Sequence, residues 1–319
     1  MVNGVPSSIT STSSITAEGL VKHFADVHAV NGVSLDVPTG TVLGLLGPNG
    51  AGKTTVVRIL TTTLHPDAGR AVVAGHDVVA SPQAVRRSIG LAGQYAAVDE
   101  NLTGRENLTL VGRLSHLTKS VAARRAVELL DQFHLSDAGN RPARTYSGGM
   151  RRRLDLAAAL VTHPPVLLLD EPTAGLDPAS RQDLWEVIGN LVADGTTVLL
   201  TTQYLEEADR LADRIVVIDK GLVVAAGTAA ELTTRLGETT LALGFADVES
   251  ATLAAVRLAD FNAVRPATAE TTVRLPLRGG ARVVRDVLNR LADAGIEVGR
   301  LDLHEPTLDD VFLSLTGTP

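Results

Sequence analysis

The sequence of 319 residues contains no cysteine, which excludes disulfides and thiolate metal sites. It has no apolar run close to the ~18 residues that a membrane span needs. Its first residues, MVNGVPSSITSTSS, lack the basic start and the apolar core of a signal peptide. A net charge of −7 argues against a protein that binds nucleic acid by neutralising phosphates. We therefore expect a soluble cytosolic protein, which needs another molecule as its anchor if it works at a membrane.

The length predicts more than one domain. Residues 1–14 are rich in Ser and Thr, and we expect a disordered tail there. Over residues 15–236 short apolar runs alternate with helix-like segments, which predicts an α/β domain with a mixed, largely parallel central sheet. Over residues 237–319 the predicted order is strand–helix–strand–strand–helix–strand. That order is typical of a small α+β accessory domain of the ferredoxin-like type.

Apolar runs without alternation predict strands that are buried on both faces, at residues 41–47, 70–76, 88–93, 165–171, 196–202 and 214–221. Helices are predicted between them, at residues 53–64, 104–116, 120–133, 148–163, 179–193 and 204–212. The opening segments ITAEGLVKHF and VNGVSLDVP alternate more regularly. They therefore predict an antiparallel flank beside the main sheet.

The stretch GPNGAGKT, residues 47–54, follows a predicted strand and precedes a predicted helix, as a phosphate-binding loop does. Its glycines let backbone N–H groups cradle phosphate oxygens, and the helix adds its positive end. Lys53 is expected to hold the outer phosphates and Thr54 to ligate magnesium. A purely structural glycine turn is the alternative. The predicted nucleotide-binding residues of the loop are Gly47, Pro48, Asn49, Gly50, Ala51, Gly52, Lys53, Thr54 and Thr55.

The stretch PVLLLDEPTAGLD, residues 165–177, carries two adjacent carboxylates after an apolar strand. Asp170 is expected to hold the magnesium ion, and Glu171 to orient or deprotonate the attacking water. Adjacent carboxylates repel, so a cation is expected close to them. An acidic helix cap is the alternative. Together with the phosphate loop, the pair predicts a nucleoside-triphosphatase site.

The stretch RTYSGGMRRRLDLAAAL, residues 144–160, opens a predicted helix with a serine and two glycines. Ser147 can cap this helix, whose free N–H groups form an anion site. With the two stretches above, this motif resembles the ABC-type ATPase family. The resemblance implies that Ser147, Gly148 and Gly149 bind the γ-phosphate of a nucleotide held by the opposite subunit. It also implies a helical signature subdomain over about residues 95–160.

Three further positions match the family's pattern. Gln94 resembles the glutamine that couples the nucleotide and its metal ion to the membrane partner, although it can also be read as an ordinary loop amide. Asp177 ends a segment similar to the loop that crosses the dimer interface. Phe24 stands where the family stacks an aromatic ring on adenine, and a core aromatic is the alternative. The adjacent arginines 151–153 are interpreted as a solvated helix face rather than a nucleic-acid patch.

Two positions depart from the family's usual pattern. Met150 stands where the signature usually has glutamine, and Gln203 where a histidine usually contacts the γ-phosphate. An amide can donate a hydrogen bond to phosphate but cannot become cationic near neutral pH. We interpret Gln203 as a catalytic phosphate sensor, with a loop cap as the alternative. Its neighbours Glu206, Glu207 and Asp209 are interpreted as a solvated helix start.

Both departures, and the closing EPTLDDVFLSLTG, resemble the daunorubicin-resistance branch of ABC ATPases. This resemblance implies a homodimer that binds ATP and Mg²⁺ at the cytoplasmic face of the plasma membrane. The dimer would drive the export of a drug, antibiotic or lipid through a separate permease, which would meet the segment from Gln94 to about Arg113. A soluble ABC ATPase acting on ribosomes or DNA is the alternative, and a regulatory nucleotide-binding module is a third interpretation.

Overall fold

A computed structural model of the chain describes residues 13–93, 98–236, 239–259, 267–276, 281–304, 307–308, 310 and 312. These residues form two compact units, which divide between Thr228 and Ala229. The first strand begins at Ser13, so the last two residues of the predicted tail belong to a strand. None of the helices in these ranges is long and apolar enough to cross a bilayer.

An antiparallel flank opens the first unit, as the alternating segments predicted. Its strands are β1 (Ser13–Phe24), β2 (Val27–Pro38), β4 (Ala68–Val73) and β5 (His76–Asp77), in the order β2-β1-β4-β5. The segment predicted as a strand at residues 70–76 therefore belongs to this flank and not to the main sheet. Ile15, Leu20 and Val33 are fully buried, which shows that the flank packs its apolar face into the core.

The main sheet of the first unit has six strands in the order β10-β9-β3-β8-β7-β6. Five of them run parallel, and β10 is antiparallel to β9. The strands β3, β7 and β8 are buried along their whole length, as expected for strands covered on both faces. Their bounds are β3 Val42–Leu46, β6 Ile89–Ala92, β7 Val166–Asp170, β8 Thr197–Thr202, β9 Arg214–Asp219 and β10 Leu222–Gly227.

Seven helices in the described part of this unit connect the strands: α1 Lys53–Leu60, α2 Pro82–Ser88, α3 Gly104–Leu114, α4 Lys119–Gln132, α5 Gly148–Ala159, α6 Pro178–Ala193 and α7 Leu205–Leu211. Side chains start several of them. Thr103 and Glu106 form a reciprocal capping box at α3, which satisfies N–H groups that a helix start leaves free. The helices α3, α4 and α5 share a buried cluster that includes Leu108, Leu129 and Leu154.

The second unit begins with α8 (Ala229–Leu236). It continues with β11 Thr240–Gly244, α9 Val248–Leu258, β12 Ala267–Ala269, β13 Thr272–Pro276, α10 Ala281–Asp293 and β14 Arg300–His304. The antiparallel sheet has the order β12-β13-β11-β14, which is the split βαβ arrangement predicted from the sequence. The accessory-domain boundary at residue 237 stays a prediction, because α8 groups with this unit.

Candidate nucleotide-binding site

The phosphate loop leaves the carboxyl end of β3. Its first amide, Gly47 N, donates to the carbonyl of Thr202 at 3.3 Å, which ties the loop to the end of β8. Gly52 has φ 108°, and a Cβ there would lie 2.2 Å from the carbonyl oxygen of Ala29. A Cβ at Gly47 would lie 2.3 Å from the carbonyl oxygen of Ile218. Glycine is therefore required at both positions, because any side chain would collide with neighbouring backbone.

Lys53 begins α1 and has a buried side chain, only 4% exposed. Its ammonium donates to the carbonyls of Gly47 at 2.7 Å and Pro48 at 3.1 Å, and lies 3.2 Å from a carboxylate oxygen of Glu171. A desolvated cation needs an anionic partner. Glu171 is that partner here, and the oxygens of a phosphate group in the loop would be bound by the same ammonium. The cavity beside Lys53 has a volume of about 370 Å³ and is lined by residues 49–55 and Glu171.

Asp170 ends β7 and is 4% exposed. Its Oδ1 accepts from the Thr54 hydroxyl at 3.3 Å and from the Thr201 hydroxyl at 2.5 Å. A hydroxyl and a carboxylate are the hard oxygen donors that Mg²⁺ prefers, and this ion commonly takes only one or two protein ligands beside substrate phosphates. The pair therefore fits Mg²⁺. The described residues contain no group of three or more His, Cys, Asp or Glu that would form a self-sufficient metal centre.

Glu171 has φ 51°, a left-handed conformation that is unfavourable for a residue with a side chain. Such strain costs about 1–3 kcal/mol and persists only where the surroundings fix it. Here the amide of Glu171 donates to the carbonyl and to the hydroxyl of Thr201, both at 3.1 Å. The turn directs the carboxylate of Glu171 towards Lys53, beside the phosphate loop.

Gln203 follows Thr202 at the end of β8, next to the start of the phosphate loop. Leu46 of β3 pairs with Thr202, and Thr202 accepts from Gly47 N. The hydroxyl of Thr202 also accepts from the amide of Tyr204 at 2.9 Å, so the hydrogen bond that stabilises this turn comes from Thr202. Gln203 is half-buried. Its role as a phosphate sensor stays a prediction.

The signature segment begins α5. Ser147 caps this helix by accepting from Met150 N at 3.2 Å, and Ser147 and Gly148 are exposed. A Cβ at Gly149 would lie 2.6 Å from the hydroxyl of Ser180, so the second glycine allows α5 to approach the start of α6. Asp177 caps α6 through the amide and hydroxyl of Ser180, and these hydrogen bonds lower the pKa of its carboxyl group. Asp177 is exposed beside the signature segment.

Comparison with known proteins decides the family. Residues 30–174 match the family described as ABC transporter. The chain is 52% identical over 305 residues to the daunorubicin resistance ATP-binding protein DrrA3 of Streptomyces coeruleorubidus, which covers 96% of each chain. The chain belongs to the ABC transporter ATP-binding family. It is an ATPase that binds ATP.

Two further comparisons agree with this ABC ATPase assignment. The chain is 48% identical to the doxorubicin resistance ATP-binding protein DrrA of Mycobacterium tuberculosis, over 91% of this chain and 89% of the relative. The crystal structure of the ADP conformation of MJ1267, an ATP-binding cassette of an ABC transporter, superposes with a TM-score of 0.63 at 28% identity. It covers 69% of this chain and 92% of the other. The mixed α/β fold predicted from the sequence is confirmed.

The structure does not establish the predicted roles of two further site residues. Gln94 lies outside the described residues. Phe24 ends β1, pairs with Val27 across the hairpin and is 45% exposed. Val27 itself lines the cavity beside Lys53, together with His28 and Ala29. Adenine stacking on Phe24 stays a prediction.

The interpretation of residues 151–153 as a solvated face is correct for Arg151 and wrong for the other two. Arg151 is 44% exposed and pairs with Glu100 at 3.0 Å. The Arg152 side chain is only 14% exposed, and burial lowers the pKa of its guanidinium. Arg153 is half-buried and donates to the carbonyl of Phe133 at 3.3 Å. Three successive helical residues point in directions about 100° apart, so they cannot share one environment.

Glu207 also differs from its interpretation as part of a solvated helix start. It is fully buried in α7, while Glu206 beside it is exposed. Its carboxylate accepts from Trp185 Nε1 at 3.2 Å. Burial raises the pKa of Glu207, and the hydrogen bond from Trp185 and the charge of Arg152 counteract this only in part. The first turn of α7 therefore presents one acidic side chain to the core.

Several residues of the site have no signal in the sequence. The hydroxyl of Thr201 donates to Asp170 and accepts from the amide of Glu171. In the sequence, however, Thr201 looks like an ordinary strand residue. Lys220 lines the nucleotide cavity from the turn between β9 and β10, where it has φ 47°. The DKG sequence indicates a turn there, but only the pairing of β9 with β3 brings that turn to the phosphate loop.

Proposed function

We propose that this chain is the ATP-hydrolysing subunit of an ABC exporter, which drives the efflux of a drug, antibiotic or lipid through a separate membrane permease. The observation that carries the ATP-hydrolysing part of this proposal is the joint geometry of two strand ends. Lys53 and Glu171 form an ion pair at 3.2 Å, and Thr54 and Asp170 form a hydrogen bond at 3.3 Å. These four side chains are the parts that phosphoryl transfer to water requires.

Each residue has a distinct role in this proposal. Thr54 and Asp170 would hold Mg²⁺, and Gln94 is proposed to join them. The bound ion would neutralise charge on the phosphates. Lys53 and the amides of the loop would bind the outer phosphates. Glu171 would take a proton from the attacking water.

Catalysis is proposed to need a second copy of the chain. Ser147, Gly148 and Gly149 of that copy would cover the γ-phosphate, and Asp177 would lie at the interface. Two features support this arrangement: the start of α5 is exposed, and Glu171 lines both the phosphate-loop cavity and a second cavity beside Gly148 and Gly175. Two identical chains related by a two-fold axis would form two equivalent sites.

A groove of about 640 Å³ supports the proposed contact with a permease. It lies between α2 and β6 on one side and α3 and α5 on the other. Leu91 and Leu114 are apolar and exposed along it, by 42% and 71%, and Arg86 and Arg87 add positive charge. We propose that an amphipathic cytoplasmic helix of the permease binds there, which would hold the ATPase at the cytoplasmic face of the plasma membrane.

The proposal of an exporter rests on the relatives. Proteins 48–52% identical to this chain are named for daunorubicin or doxorubicin resistance. A further relative of Bacillus subtilis, 35% identical over 95% of this chain, is named a linearmycin resistance ATP-binding protein. These names concern different compounds, although the ATP-binding chains are similar. We therefore propose that the permease, and not this subunit, selects the exported compound.

Native co-purification tests the proposal. The chain should be isolated from its source cells in mild detergent, with the Leu114→Asp variant in parallel. We expect a multi-span membrane protein to accompany the parent chain, and its yield to fall with the variant because a charge is placed in the apolar groove. Recovery with ribosomes or DNA and no membrane protein would contradict the exporter proposal. An unchanged yield with Leu114→Asp would contradict only the proposal that the permease binds in this groove, and would leave the exporter proposal intact.

A further inference from the structure

One buried side chain, Arg152, connects three segments of the ATPase unit. Its Nε donates to the carbonyl of Pro172 at 2.5 Å. Its Nη1 donates to the carbonyl of Gly93, at the end of β6. Its Nη2 donates to the carbonyls of Glu171 at 2.8 Å and Asp170 at 3.3 Å. One guanidinium from α5 therefore holds four backbone carbonyls on two other segments.

Those carbonyls belong to the parts that the proposed function uses. Three of them form the turn that carries Glu171, and the fourth immediately precedes Gln94 in the sequence. Arg152 itself lies between one and two helical turns after Ser147, on the helix that the signature segment starts. Arg152 also forms an ion pair with the buried Asp155, 3.7 Å away on the same helix, and lies within the electrostatic reach of Asp170 and Glu207. Among the contacts of this guanidinium in the described part of the chain, none is an ion pair at the protein surface. A surface ion pair therefore does not explain its position.

The turn at Glu171 needs such a restraint. Its left-handed backbone is unfavourable for glutamate. Its amide is fixed by Thr201 of β8, and its carbonyl is fixed by Arg152 of α5. Removing the second restraint frees the peptide that orients the carboxylate. An error of about 1 Å in the position of a catalytic group is sufficient to slow a reaction about 100-fold.

We propose that Arg152 is a positioning residue, which fixes the Glu171 turn to the signature helix and to the end of β6. Through this contact, movements of the signature helix on dimer closure, or of β6 on permease contact, change the position of the Glu171 carboxylate. The proposal rests on the proposed catalytic role of Glu171. Arginine is required because its planar group presents five donors, whereas lysine has three donors around one point charge.

Paired lysine substitutions on α5 test this role. Arg152→Lys keeps the charge but cannot reach four carbonyls, whereas Arg153→Lys replaces a single carbonyl contact on the same helix. In the full-length protein with ATP and Mg²⁺, we expect Arg152→Lys to lower kcat about 10- to 100-fold. The Kd for ATP should stay within about two-fold of the parent value, because no atom of Arg152 lines the phosphate-loop cavity. Arg153→Lys should leave kcat within about two-fold.

A double-mutant cycle with Glu171→Gln separates positioning from general damage. If Arg152 acts through Glu171, Arg152→Lys should slow single-turnover hydrolysis by less than about two-fold in the Glu171→Gln background. An equal loss in both backgrounds, a parental kcat for Arg152→Lys, or a parallel rise in the Kd for ATP would overturn the proposal. Loss of folded protein with both Arg152→Lys and Arg152→Gln would assign Arg152 to stability and overturn it as well. If Glu171→Gln alone hydrolyses ATP at the parent rate, Glu171 has no catalytic role. That result would contradict the proposed function, and it can be told apart from the results that overturn only the role of Arg152.

Discussion

The two units of the chain differ in what they bury. The first unit buries Lys53, Asp155, Asp170 and Glu207, all below 5% exposed. In the described part of the second unit, the buried side chains are apolar, and they include Leu241, Leu275 and Leu291. Burying a charge without a partner is strongly unfavourable. The first unit retains these four groups because each has an ion-pair or hydrogen-bond partner, whereas the described core of the second unit is built from apolar side chains.

The buried charges of the first unit also form a connected set. Lys53 faces Glu171, Asp170 accepts from Thr54 and Thr201, and Arg152 faces Asp155. The second unit has ion pairs only at its surface among the described residues, such as Arg300 with Asp302 at 2.7 Å. Exposed pairs of this kind contribute about 0–1 kcal/mol. We therefore expect substitutions of buried charged residues in the first unit to change ATP binding and hydrolysis. Substitutions of surface charges in the second unit should change stability only slightly.

Lys53→Ala should have the largest effect on nucleotide binding. It removes the buried ammonium at the centre of the phosphate loop and leaves Glu171 without its cation. A hydrogen bond to a charged group contributes about 1.5–3 kcal/mol, so we expect the Kd for ATP to rise about 10- to 100-fold, as measured by calorimetry. Lys119→Ala, at an exposed position of α4, is the control. Undiminished affinity in Lys53→Ala would disprove the phosphate-loop assignment.

Gln203→Ala should slow hydrolysis more than it weakens ATP binding. The residue follows the strand end that accepts from Gly47 N, at the start of the phosphate loop, so we expect its amide to contact the outer phosphate rather than the rest of the nucleotide. Loss of one positioned donor slows catalysis about 100- to 1,000-fold where it stabilises developing charge, and we expect the lower end of this range. Gln203→His should retain activity, since imidazole also donates a hydrogen bond. If alanine changes neither kcat nor Kd, Gln203 is not a phosphate sensor.

The sequence predicts the parts of this site whose residues are consecutive in the chain. It does not predict the parts that depend on how distant segments pack together. GPNGAGKT and the carboxylates at 170 and 171 are recognisable because strand, loop and helix are consecutive in the chain. The burial of Arg152 and Glu207 is not recognisable, because it depends on which side of each helix faces β7 and α6. Thr201 acquires its role only when β8 pairs with β7. The strand β10 is not predicted from the sequence, because LVVAAG follows a turn that the apolar pattern does not separate from β9.

Truncation tests whether the two units are independent. A chain that ends at Leu236 keeps the first unit and α8, and a chain that ends at Thr228 follows the compact-unit boundary. Units with separate cores can fold alone, so we expect both chains to bind ATP with a Kd within about three-fold of the full-length value. Assembly into dimers, or with the permease, should be impaired. If neither chain binds ATP, the phosphate-loop unit depends on the second unit and the two units are not independent.

Glu207→Gln should have the smallest effect, and its sign depends on pH. Burial raises the pKa of Glu207, so folding favours the protonated form. The stability from this preference is complete below the ordinary pKa of glutamate and is lost as the pH rises through the raised pKa. Glutamine keeps an acceptor for Trp185 Nε1 without the buried charge. At pH 8 we expect the variant to gain about 1 kcal/mol, or about 2–4 °C in Tm, and the gain to vanish towards pH 4.

Thermal unfolding followed by circular dichroism between pH 4 and pH 8 measures this difference. Glu206→Gln is the matched control, because Glu206 lies in the same helical turn but is exposed. Its only expected loss is the weak interaction of a surface carboxylate with the start of α7, about 0.3–1 kcal/mol, at every pH where the carboxylate is charged. A fall in Tm for Glu207→Gln at pH 8 would contradict the prediction. It would show that the negative charge stabilises the fold, through Arg152 behind the Glu171 turn, by more than its burial costs.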